Sequence, residues 1–64
     1  MKTWFVYEVE GSKFAVYGKG IGETKATLKN ALVVSDVKYI GVLMNGDLFG
    51  KRKITNDIYV IEGA

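Results

Sequence analysis

Few side chains in this sequence are equipped for chemistry. Histidine and cysteine are both absent. That removes the commonest general base at neutral pH, any thiolate nucleophile, any disulfide, and the ligands of a zinc site. The seven carboxylates (Glu8, Glu10, Glu23, Asp36, Asp47, Asp57 and Glu62) are scattered along the chain, whereas a Ca²⁺ or Mg²⁺ site needs clustered oxygens. Ser12 falls in a predicted turn and Ser35 at a predicted helix end, and neither sits in a nucleophile motif. The expectation is a non-enzyme with no cofactor and no metal.

Three features could instead serve binding. The segment Gly18-Lys19-Gly20-Ile21-Gly22-Glu23-Thr24-Lys25 is glycine-rich and enters a helix, a setting whose backbone N–H groups can hold an anion. It lacks the Gly-Lys-Ser/Thr of a P-loop, its third glycine comes one residue early for a dinucleotide fingerprint, and Glu23 competes for the same amides. It therefore reads first as a flexible connection. Lys51-Arg52-Lys53 is the only basic run. On a strand its members alternate faces, and charge on a peripheral strand also deters edge-to-edge aggregation. The third feature is a group of apolar and aromatic residues, Trp4, Val6 and Tyr17, whose side of the sheet depends on strand register.

Strands and turns must position these residues. Thr3 to Val9 and Lys13 to Lys19 are rich in β-branched and aromatic side chains and read as strands. Glu10-Gly11-Ser12-Lys13 predicts a tight hairpin with Gly11 first in a type II′ turn. The resulting register pairs Phe5 with Gly18, Tyr7 with Val16 and Val9 with Phe14. It places Phe5, Tyr7, Val9, Phe14 and Val16 on a core face. Trp4, Val6, Glu8, Glu10, Lys13, Ala15, Tyr17 and Lys19 take the other face.

Residues 23–34 predict the one helix, with Gly22 as N-cap, Ser35-Asp36 as its end, and a stripe of Ile21, Thr24, Leu28, Ala31, Leu32 and Ser35. Residues 37–44 and 47–54 predict two strands joined by Asn45-Gly46, the strongest short hairpin signal. In that hairpin Lys38, Lys51 and Lys53 share a side, and Gly50 marks an irregularity. Thr55-Asn56-Asp57 turns into a last strand over 58–61.

The fold class expected is α+β, one domain over residues 1–64 in the order ββαβββ, with a mainly antiparallel sheet and the helix on one face. At 64 residues with 48% hydrophobic and 25% charged side chains, the chain can bury a core, but a marginal one. With disulfides and zinc closed off, either unusually good packing or self-association must make up the difference. The opening Met1-Lys2-Thr3-Trp4-Phe5-Val6-Tyr7 turns acidic at Glu8, so no signal-peptide core is expected and a cytoplasmic location is. A formal charge of +2 and a pI near 9.0 lean only mildly toward anionic partners.

Two functions follow as expectations. The first is a small protein-interaction module, of accessory or inhibitor type, that docks on a protein partner or on itself as a homo-oligomer through Trp4, Val6 and Tyr17. The second is a nucleic-acid-binding module in which sheet aromatics stack bases while Lys2, Lys13, Lys19, Lys51, Arg52 and Lys53 meet phosphates. Glu8 and Glu10, on the same face as the aromatics, favour the first.

Overall fold

The computed structural model describes residues 1–43, 48 and 51–62. The chain runs β1 (Thr3–Val9), β2 (Ser12–Gly18), α1 (Ile21–Leu32), β3 (Lys38–Val42), β4 (Arg52–Thr55) and β5 (Ile58–Glu62). All five strands join one sheet in the order β3-β1-β2-β5-β4, with every neighbouring pair antiparallel. The α+β class, the ββαβββ order and the single helix on one face are as the sequence implies.

The first hairpin forms in a different register from the one expected. Phe5 opposes Val16, Tyr7 opposes Phe14 and Val9 opposes Ser12, so the two-residue loop is Glu10-Gly11. Both loop residues have positive φ, 49° at Glu10 and 85° at Gly11, the signature of a type I′ turn rather than type II′. Glycine takes the second central position, and Ser12 becomes the first residue of β2. The slip is two residues, one full period of a strand, so no side chain changes face.

The second hairpin does not form as read. β3 pairs with β1 and β4 pairs with β5, which puts the two strands flanking Asn45-Gly46 on opposite edges of the sheet. Asn45, Gly46, Asp47 and Gly50 lie outside the described residues. Because β2 and β3 are each antiparallel to β1, they run in the same direction. Parallel strands need a crossover, and α1 supplies it.

The crossover sets the core. Phe5, Tyr7, Phe14, Val16, Leu28, Val37 and Ile58 form one buried cluster, with Val9, Leu32, Val34 and Val60 packed against it. From the predicted helical stripe, Thr24 and Leu28 are fully buried and Leu32 packs at the margin, while Ile21 and Ala31 are exposed. Tyr7 is buried with its hydroxyl satisfied: it lies 3.0 Å from the Ile21 carbonyl and 2.8 Å from Thr24 Oγ1. Thr24 Oγ1 in turn is 2.9 Å from the Gly20 carbonyl. This network locks the start of α1 to the middle of β1, which is why a polar residue is tolerated within the stripe.

Both helix ends differ by a few residues from the expected ones. Gly20, not Gly22, is the N-cap. Val33 ends the helix in the left-handed region (φ 55°, ψ 52°), and the Val34 N–H donates to the Lys29 carbonyl at 3.1 Å. This is Schellman geometry with valine where glycine is usual. Val34 packs inward, but Val33 is 88% exposed and gains little from its position. A β-branched residue there costs roughly 1–2 kcal/mol. Val33→Gly is therefore expected to raise the urea midpoint, by about 1 kcal/mol of stability, and an unchanged or lower midpoint would show that the strain is absent.

Candidate functional site

The face of the sheet turned away from α1 can be built row by row. Val6 opposes Ala15 on β2 and Gly41 on β3. Ala15 opposes Tyr59 on β5, and Tyr59 opposes Lys53 on β4. Directly opposed residues in antiparallel strands share a face, so Gly41, Val6, Ala15, Tyr59 and Lys53 form one row across the whole sheet. The next row holds Trp4 opposite Tyr17, with the Leu43 N–H donating to the Trp4 carbonyl at 2.8 Å. On the other side of the central row, Glu8 lies between Lys13 and Lys38.

The centre of this face is an aromatic trio. The rings of Trp4 and Tyr17 are 4.8 Å apart and tilted by 40°. Those of Trp4 and Tyr59 are 5.5 Å apart and edge to face at 80°. β1 and β5 are separated by β2, so their backbones stand roughly 10 Å apart. The two rings can approach this closely only by leaning over β2 from either side. What they lean over is Ala15, which is fully buried. A small side chain at that position is what allows the trio to close. Such packed pairs contribute about 0.5–1.5 kcal/mol beyond the area they bury.

This arrangement sorts the expected contact residues. Trp4 is half-buried and Tyr17 is 37% exposed, so both present surface. Val6, in the neighbouring row, is buried and offers little contact surface. The sheet covers part of its own outer face, using rings from three strands. Lys2 Nζ lies 5.9 Å from the Tyr17 ring centre, within cation–π range.

The cations singled out for phosphate contact are not gathered. Lys19 leaves β2 four residues beyond Ala15, and Lys53 lies in Ala15's own row, which separates them by roughly 13 Å along the strands alone. Arg52 opposes Val60, whose side chain packs against the core, so Arg52 and Lys53 point to opposite faces. Lys51 precedes β4, and its Nζ donates to the Ile61 carbonyl at 3.4 Å. Lys38 and Lys53 do share the outer face, but from opposite edges rather than as neighbours. In the glycine-rich segment, Glu23 Oε1 accepts from the Lys19 N–H at 2.9 Å. The chain's own carboxylate thus sits where an anion would bind.

Tyr59 belongs to the site, and its own stretch of sequence does not mark it as a contact residue. The alternation in Ile58-Tyr59-Val60-Ile61 separates Tyr59 from Ile58 and Val60. Which of the two sets faces out depends on β5 lying beside β2. Among the described residues no group of His, Cys, Asp and Glu could hold a metal, no pocket opens, and no helix is long and apolar enough to cross a membrane. No protein-family model, curated protein or solved structure matches the chain.

Proposed function

We propose that this protein is a non-catalytic binding module whose outer sheet face docks on a protein partner, with Trp4, Tyr17 and Tyr59 as its anchors. The observation that carries the reading is the closed trio. The rings are held against one another over a buried Ala15, so little side-chain freedom is left to lose on binding. The contact surface is therefore one of ring edges and apolar ring bodies. Trp4 and Lys2 already lie against the Tyr17 ring. A base could stack there only by displacing one of them. Lys2 lies against Tyr17 and Lys53 opposes Tyr59 at the margin of the trio, which suits a partner with an apolar centre and acidic margins.

One observation favours the nucleic-acid reading. Glu8 is flanked by Lys13 and Lys38, and Glu10 sits at the hairpin tip, well away from the trio. The acids are thus a weaker barrier to phosphate than their place in the sequence suggests. Salt separates the two readings. Trp4 is the only tryptophan, so its emission reports directly on this face. Titration with mixed single- and double-stranded oligonucleotides at low salt is expected to leave that emission unchanged. A partner captured from the source cell should be lost with a folded Tyr17→Ala bait, held in moderate salt, and little affected by Lys51→Glu with Lys53→Glu. Tight oligonucleotide binding that collapses with salt, or with the lysine pair, would overturn the protein reading.

A further inference from the structure

The β4 edge of the sheet is marked by charge. Lys51, Arg52 and Lys53 are successive and exposed, and no acid lies among them or elsewhere on β4. Together they exceed the formal charge of +2 on the whole chain. β4 bonds to β5 on one side, and among the described residues no strand lies on its other side. Alternate residues of an edge strand direct N–H and C=O away from their partner, where water or another extended backbone must satisfy them. Like charges opposed across two strands destabilise the pair, whereas opposite charges stabilise it. The run that keeps β4 from pairing with a copy of itself therefore favours a strand of the opposite sign.

The faces of the sheet decide what form that anion takes. Arg52 opposes Val60, which packs against the core, and Lys53 opposes Tyr59 on the outer face. Two neighbouring cations thus stand on opposite sides of the sheet. A row of phosphates running along one face meets only one of them. An added β-strand has the same two-residue alternation, so two successive carboxylates on it reach both.

We propose that the β4 edge takes an acidic extended segment of a partner protein as an added strand, with successive carboxylates opposing Arg52 and Lys53. A β-bulge falls at Ile54, where the β5 register passes from Lys53 to Thr55, and it bends the edge beyond Lys53. The pairing run is short, so backbone bonds are few and charge supplies much of the affinity. Exposed charges are screened by salt, and the complex weakens as salt rises. This edge is distinct from the aromatic trio, and its occupant is independent of what the trio holds.

The probe is the capped peptide Val-Thr-Glu-Glu-Glu-Thr-Val, titrated into the isotope-labelled chain and followed by backbone amide NMR. Shifts should centre on Arg52 and Lys53 and fade as salt rises, and Val-Thr-Lys-Lys-Lys-Thr-Val should cause none. A strand paired along one edge uses only alternate N–H groups. Two forms of the acidic peptide, methylated on one or the other alternate set of backbone nitrogens, keep the same charge. One should bind about tenfold more weakly, and the other nearly as the parent does. Arg52→Glu with Lys53→Glu should exchange the acidic peptide for the lysine one with the circular dichroism of the fold retained, while Tyr17→Ala binds the acidic peptide as before. Equal binding by the two methylated forms means that charge alone holds the peptide, and it overturns the proposal. So does an acidic peptide that shifts no amide of β4 at low salt, or one that Tyr17→Ala releases. A single-stranded oligonucleotide that shifts Arg52 and Lys53 where the peptide does not has the same force. Loss of folding in the charge-exchange variant leaves the methylated pair, on the unmodified chain, to decide.

Discussion

Leu28→Ala should cost the fold about 3 kcal/mol, within the range measured for fully buried leucines cut to alanine. Leu28 is completely buried among Phe5, Tyr7, Phe14, Val16, Val37 and Ile58, and it is the main apolar attachment of α1 to the sheet. Its surroundings cannot easily collapse into the space. The sheet below is tied by its ladders, and the start of the helix is held by the Tyr7–Thr24 hydrogen bond at 2.8 Å. For a chain of 64 residues, total stability is roughly 3–10 kcal/mol. The variant should therefore show a large fall in urea midpoint and, at the lower end, no folded baseline at all. A loss under about 1 kcal/mol would mean that the helix is not seated through this residue.

Trp4→Ala is expected to act twice. Removing the indole leaves Tyr17 and Tyr59 without the ring that joins them over Ala15. Trp4 is only half-buried, so the loss of stability should be about 2 kcal/mol, below the 3–5 kcal/mol of a fully buried tryptophan. The same change should lower affinity for the protein partner by about 2 kcal/mol or more, roughly a thirtyfold rise in Kd. Tyr17→Ala is the informative contrast. More exposed and peripheral in the trio, Tyr17 should cost less stability for a similar share of binding. Urea unfolding and partner titration of both variants measure the two effects separately. If Trp4→Ala lowers stability as expected yet leaves affinity intact, the trio is a second small core rather than a binding surface.

How much of this was legible in the sequence depends on how local each determinant is. The two faces of the first hairpin follow from strict alternation in Phe5, Tyr7 and Val9 and in Phe14 and Val16. That pattern survived an error in the turn, because a slip of two residues leaves every side chain on its own side. The helix follows from the spacing of Thr24, Leu28 and Leu32, although it starts after Gly20 and not after Gly22. The absence of histidine and cysteine needed no structure to read.

Strand order is different in kind. Asn45-Gly46 is a strong local signal, but a local turn preference is worth only a few kcal/mol at most. It competes with everything gained when β3 crosses over to β1 and β5 takes its place beside β2. Those gains come from contacts between residues far apart in the chain, which no window of sequence contains. The site depends on the same contacts. Trp4 and Tyr17 can be placed on one face from their hairpin alone. That Tyr59 completes the trio, that Val6 is buried, and that Lys19 stands apart from Lys53 are consequences of which strand lies next to which. The sequence by itself determined the elements, their faces and the absence of histidine and cysteine. Only the tertiary structure decided which faces meet, because side chains from β1, β2 and β5 are brought together by the order of the sheet and not by their spacing along the chain.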